Sequence, residues 1–232
     1  MAMRSFSLGV LALVLTGVAC GGAATPSVPP ATAPATESAT ATAAATTMAS
    51  AGPVAAGKWT VRDTSKATVR VREQLVGVSA PSDAVLVATG ATGAFELRSD
   101  GTFSPDSKIT FDLTTLASDQ RDRDNFIRRD TLRVQQFPKA EIVPTRVTGT
   151  VPASGDFTLT LTGNVTIRGT TKSVTFDVQG KRDGASLTAT ATANPSFKFG
   201  DFGMTAPSVP FRVVSLVDEI RLAVDLVATA AS

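Results

Sequence analysis

Beyond Trp59, apolar and polar residues alternate with period two through one run after another, and this pattern constrains the fold more than any other feature. Ala67, Val69 and Val71 alternate with Thr68, Arg70 and Arg72, and Phe95 and Leu97 with Glu96 and Arg98. Ile109, Phe111 and Leu113 alternate with Thr110, Asp112 and Thr114, and Phe157, Leu159 and Leu161 with Thr158, Thr160 and Thr162. The pattern returns at Val174, Phe176 and Val178, at Leu187, Ala189 and Ala191, and at Ile220, Leu222, Val224 and Leu226. Successive side chains of a strand point to opposite faces, so each run carries one apolar and one polar face. The many Thr residues on the polar face suit a strand because they are β-branched. Asp100-Gly101, Ser154-Gly155-Asp156 and Asp183-Gly184 supply tight-turn chemistry between runs. About eight strands joined by short turns predict an all-β antiparallel sheet, closed as a barrel or stacked as a sandwich. A barrel of that size has room inside for its own side chains or for one elongated ligand.

One stretch departs from the alternation. From Ser118 to Gln136 charges are dense, and Phe126, Ile127 and Leu132 recur at roughly helical spacing. The spacing predicts a short helix, or two turns, over or beside a barrel opening. Ser118 or Asp119 would cap its start, and Phe137-Pro138 would end it, because Pro disfavours helix in the residue before it.

The N-terminal quarter follows other rules. Arg4 and the apolar stretch Phe6–Val18 read as the charged and apolar regions of an export signal, too short to span a bilayer. Thr16-Gly17-Val18-Ala19-Cys20 resembles a bacterial lipobox, in which small residues precede a Cys that is lipidated; Gly17 stands where Leu is usual. Residues 1–19 are therefore expected to be a lipoprotein-type signal peptide and Cys20 the lipidation site. More than one acyl chain there would hold the protein stably at a membrane. Residues 20–57, rich in Ala, Thr and Pro with Glu37 as the sole charge, bury too little apolar surface to fold and are expected to form a disordered tether. Residues 58–232 form the folded domain. Its expected location is the cell envelope, in the periplasm or on an outer surface.

Composition excludes several chemistries. The chain has no His and no Tyr, and its single Cys is Cys20. Ser-His-Asp and Cys-His nucleophilic catalysis and His- or Cys-based zinc sites are thereby excluded. Twenty-two Lys and Arg against 20 Asp and Glu, evenly mixed, give no basic stripe for nucleic acid. A hydrolase built on two carboxylates would have to use Asp122, Asp124 or Asp201.

Four segments resemble the YceI-like family, described as polyisoprenoid-binding and lipocalin-like. They are Trp59 followed by Asp63 and Ser65; Arg123-Asp124, Phe126-Ile127 and Phe137-Pro138; the run Gly163-Asn164-Val165-Thr166-Ile167-Arg168-Gly169-Thr170-Thr171-Lys172; and Phe199-Gly200-Asp201-Phe202-Gly203-Met204. The third is the most specific. Phe126 stands where members often carry His. The resemblance implies an extended eight-stranded antiparallel barrel holding an isoprenoid or other long-chain lipid, with no catalysis and no cofactor. Oligomeric state stays open, with a homodimer among the options.

Such a tail gains affinity by leaving water, about 0.8 kcal/mol for each buried CH₂, so apolar walls suffice. Candidate wall residues are Phe95, Phe111, Leu113, Phe126, Ile127, Leu132, Phe137, Phe157, Leu159, Phe176 and Phe202, each of which could equally be plain core. Arg123, Arg128, Arg129 and Lys172 are candidates for a phosphate or carboxylate head group, since the Arg fork binds two oxygens; the alternative is a solvated helix face with intrahelical ion pairs. The hairpin Gly163–Lys172 reads as structural. An open apolar interior would mark a lipid carrier, and a filled one a structural or protein-interaction module.

Overall fold

The computed structural model describes residues 54–208 and 213–231. The expected signal peptide, Cys20 and most of the tether lie outside the described residues. The alternating runs form strands β1 (Gly57–Val61), β2 (Lys66–Leu75), β3 (Ser82–Ala88), β4 (Thr92–Leu97), β5 (Lys108–Asp112), β6 (Lys139–Gly149), β7 (Gly155–Ile167), β8 (Thr170–Asp183), β9 (Ser186–Ala193), β10 (Val213–Leu216) and β11 (Arg221–Ala230). All pair antiparallel, in the circuit β1-β4-β5-β6-β7-β8-β9-β11. β11 then pairs back onto β1, with Trp59 opposite Ala230 and Val61 opposite Ala228. That contact closes eight strands into a barrel and excludes the sandwich.

The other strands lengthen the wall. β1 and β2 lie in line along β11, which meets β2 through Arg221–Asp225. Between them the backbone kinks, and Ser65 bridges the gap. Its hydroxyl donates to the Val227 carbonyl at 3.0 Å and accepts from the Val227 N–H at 2.8 Å. β3 and β4 likewise run in line, β3 pairing with β2 and β4 with β1. β10 adds to the far end of β2, Val213 opposite Leu75. Pro144 sits inside β6 at a register shift, the place where a residue without an N–H is tolerated. The β7–β8 hairpin turns on Arg168 and Gly169, both with positive φ, the geometry of a two-residue loop that matches strand twist.

The charged stretch forms the short helix that its spacing predicts. α1 spans Arg121–Phe126 and continues as one wider, π-helical turn over Ile127–Thr131. Helical backbone ends there, because Arg133 adopts a left-handed conformation well before Pro138. The expected cap is also displaced. Gln120 occupies the N-cap without a side-chain bond, whereas Ser118 donates from its N–H and its hydroxyl to Asp124 Oδ1, at 2.9 and 2.6 Å. The carboxylate of the first turn thus reaches back and satisfies Ser118, so Ser118 anchors the approach to the helix and does not cap it.

Candidate ligand-binding chamber

Inward register sets the lining of the barrel end nearest α1. Val69 and Val71 on β2, Leu86 on β3, Phe111 on β5, Val165 on β7 and Leu222 on β11 face one another around an apolar chamber of about 120 Å³. Ile127, Thr131 and Leu132, from the turn after α1, cover it, and Phe197, Phe199, Phe202 and Met204 pack in from the segment after β9. Phe197 and Phe202 meet edge to face with centroids 5.3 Å apart. Thr131 is the sole lining residue with a polar side chain. Cavities of that character stay dry. The chamber is several times larger than the roughly 10–15 Å³ that a single water-sized group needs.

A wider groove of about 710 Å³ adjoins the chamber on its outer side, and the two share Val71, Leu86, Ile127 and Phe199 as wall. Apolar Leu75, Val76, Val78, Phe126 and Leu216 line it, with the polar side chains of Glu73, Gln120, Asp122, Arg123, Asn125 and Arg129 on the helix side. A third cavity of about 90 Å³ lies toward the other end of the barrel, among Trp59, Phe95, Phe157, Leu159, Val178 and Arg182. There the Arg182 guanidinium sits 4.9 Å above the Trp59 ring.

A family model of the YceI-like domain matches residues 59–228, nearly the whole barrel. The chain belongs to the YceI-like domain family. A UPF0312 protein of Pseudomonas putida is 35% identical over 130 residues, which cover 50% of this chain and 66% of the relative. A UPF0312 protein of Pseudomonas fluorescens matches to the same extent, 35% over 130 residues. The chain therefore spans slightly less than two thirds of the curated relatives it matches. Among solved structures, a polyisoprenoid-binding domain from Saccharophagus degradans, implicated in plant cell wall breakdown, superposes with a TM-score of 0.55 at 10% identity, covering 75% of this chain and 98% of that one. Burkholderia cenocepacia BcnA superposes with a TM-score of 0.53 at 19% identity, covering 71% and 96%. At such identities the likeness is one of fold.

Within this YceI-like barrel the sequence-derived wall residues divide by height. Phe111, Leu113, Ile127, Leu132 and Phe202 line the chamber, and Phe126 lines the outer groove. Phe95, Phe157 and Leu159 line the distal cavity instead. Phe176 is buried and lines neither, and half-buried Phe137 lines none of the three spaces, its ring lying against Gly169. Alternation says which residues point inward but not how far along the barrel each one sits. Val69, Val71, Val165, Phe197 and Phe199 are chamber residues absent from the sequence-derived wall; strand register would have supplied the three valines, whereas the two Phe lie in irregular backbone with no period to read.

The basic candidates separate as well. Arg123 is engaged by Glu73 at 2.5 Å and Asp119 at 2.8 Å, so it works as a structural tie. Arg128 turns to backbone, donating to the carbonyls of Thr114 and Asp124 and to Asn125 Oδ1. Lys172 is exposed on β8 and lines neither the chamber nor the groove. Arg129 alone combines exposure with a place on the groove, pairing with Asp130 at 2.8 Å. Its hydrogen bonds and charge hold the Asp130 carboxyl below the usual carboxylate range. Of the three candidate acids, Asp124 is buried on Ser118, Asp201 accepts from the Lys198 N–H within a 3₁₀ turn, and Asp122 faces the groove.

Proposed function

We propose that this protein binds a long-chain amphiphile of isoprenoid type without transforming it. The observation that carries the reading is the chamber: an apolar pocket under a helix, adjoined on one side by a larger groove with polar groups along one edge. Lipid sites have this form, with apolar walls and a few polar groups near the mouth. The tail fills the chamber and the first part of the groove, and the polar end lies near Gln120, Asn125 and Arg129. The family membership and the fold shared with a polyisoprenoid-binding domain support the same class of ligand.

The test uses the full chain, stripped of lipid by organic extraction and offered polyprenyl alcohols and fatty acids. Native mass spectrometry should show one long-chain ligand retained per folded protein. Retention of none would overturn the reading.

The N-terminal sequence supports an exported protein held at the envelope by lipid on Cys20. Mass spectrometry of the mature N-terminus should find acylated Cys20. An unmodified N-terminus beyond that residue would remove the anchor.

A further inference from the structure

The barrel interior holds two distinct apolar spaces. The chamber and the distal cavity have no lining residue in common. Between them lies a packed layer that includes Val61, Ile109, Val174 and Phe176, all buried and lining neither space. Phe176 dominates this layer. It is 1% exposed and among the largest fully buried side chains of the described residues. Its cross-strand partners are Leu161 on β7 and Ala193 on β9, and the next inward position on β7 is Gly163. Ala193 opposite the ring is small, and Gly163 lets the β6 backbone at Val143 and Pro144 come close. Toward the chamber the Gly163–Val174 pair comes next and then Val165, which walls the chamber; Leu161, level with the ring, and the Leu159–Val178 pair beyond it wall the distal cavity.

We propose that Phe176 is the floor of the ligand chamber and sets the longest chain it accepts, with the distal cavity as the space beyond that floor. The proposal rests on the lipid-binding reading above. A tail entering past Ile127 and Phe199 descends between walls that are apolar save for Thr131 until it meets the layer that Val174 and the Phe176 ring build. Chain added beyond that point stays in the groove or in water and contributes little. Removing the ring joins the two spaces, and the distal walls are themselves apolar apart from Arg182, so they accept more of the same chain.

The experiment measures the affinity of the delipidated full chain for saturated fatty acids and for polyprenyl alcohols of increasing length. In the wild type, affinity should rise about fourfold per buried methylene and then level off at a definite length. In Phe176→Ala the levelling point should move to longer chains, and in Phe176→Leu by a smaller step. Adding Ala189→Leu, which fills the distal cavity from β9, should return the Phe176→Ala point toward the wild-type length. Cooperative thermal unfolding establishes that each variant is folded, and Phe176→Leu decides the matter where Phe176→Ala does not fold. An unchanged levelling point in a folded variant overturns the floor assignment while leaving lipid binding intact. Failure of the wild type to bind any member of either series overturns both.

Discussion

Arg123 on α1 and Glu73 on β2 meet at 2.5 Å, side chains 16% and 5% exposed, fifty residues apart in sequence. This pair ties the helix to the barrel wall at the junction of chamber and groove. Taking two charges out of water is costly, and leaving one of them alone is worse, typically by about 3–5 kcal/mol. Arg123→Leu should therefore cost about 3 kcal/mol in urea unfolding, while Glu73→Leu added to it should recover most of that loss. The same single variant should speed hydrogen exchange across residues 121–131 more than elsewhere. Equal stability of the single and double variants would show that an unpaired Glu73 carries no penalty there.

The hairpin at Arg168-Gly169 gives a second, independent prediction. Gly169 has φ +74°, and a Cβ there would come within 3.1 Å of the Phe137 ring. Gly184, in the β8–β9 turn, has φ +54° with open space around it. Ala at either position bears the cost of a left-handed backbone, about 1 kcal/mol. Only at Gly169 does a steric cost add to it. Thermal melts of Gly169→Ala and Gly184→Ala should show the larger drop for Gly169→Ala. Equal drops would mean that the Phe137 ring yields freely.

The fold was largely legible because period-two alternation is a local signal that every strand repeats. Even so, Pro144 and the Arg62–Ser65 kink interrupt strands in ways that only partner strands reveal, and the β1–β11 closure is a contact across the whole domain. Glu73 shows the limit most clearly. It continues the inward series Ala67, Val69, Val71, and an acid in that register signals a buried partner. Which cation answers it depends on where the helix docks, and local sequence does not fix that. The same limit applies to Arg123, whose place in a charged run reads as solvated although its side chain is mostly buried. For the chamber, the sequence names inward residues but not their height, which is why Phe111 and Phe157 look alike in sequence and face different cavities.

Asp112 makes stability depend on pH. It heads the 3₁₀ turn Leu113–Thr115, where Leu113 lines the chamber. Hydrogen bonds from the Thr114 hydroxyl and N–H, with a further contribution from the charge of Lys139, hold its carboxyl below the ordinary value of 3.8 against the opposing effect of burial. A group depressed on folding contributes stability that is fully present above its unfolded pKa and is lost as pH falls through its folded pKa. Thermal midpoints should therefore be insensitive to Asp112 above about pH 5 and fall below about pH 4. Asp112→Asn keeps an acceptor for Thr114 without the charge, so its midpoint should fall less steeply over that acid range. Matching slopes for the two proteins would remove Asp112 from the acid response.

Two buried alanines distinguish an open chamber from a packed core. Ala88 on β3 lines the chamber, and Ala193 on β9 sits opposite Phe176 in the packed layer below it. Each is under 10% exposed. Leu adds the same three carbons at either place, so the outcome reports the space available. At Ala193 those carbons meet the Phe176 ring, and overpacking of that kind costs about 1–3 kcal/mol. At Ala88 they enter the chamber of about 120 Å³, where filling empty apolar space commonly stabilises by about 0.5–2 kcal/mol. Ala88→Leu should thus hold or raise the unfolding midpoint while lowering affinity for long-chain ligands, because the side chain takes volume that the tail would occupy. Ala193→Leu should destabilise. Equal destabilisation by both would mean that the chamber is as tightly packed as the layer beneath it, and a barrel filled in that way would hold no tail.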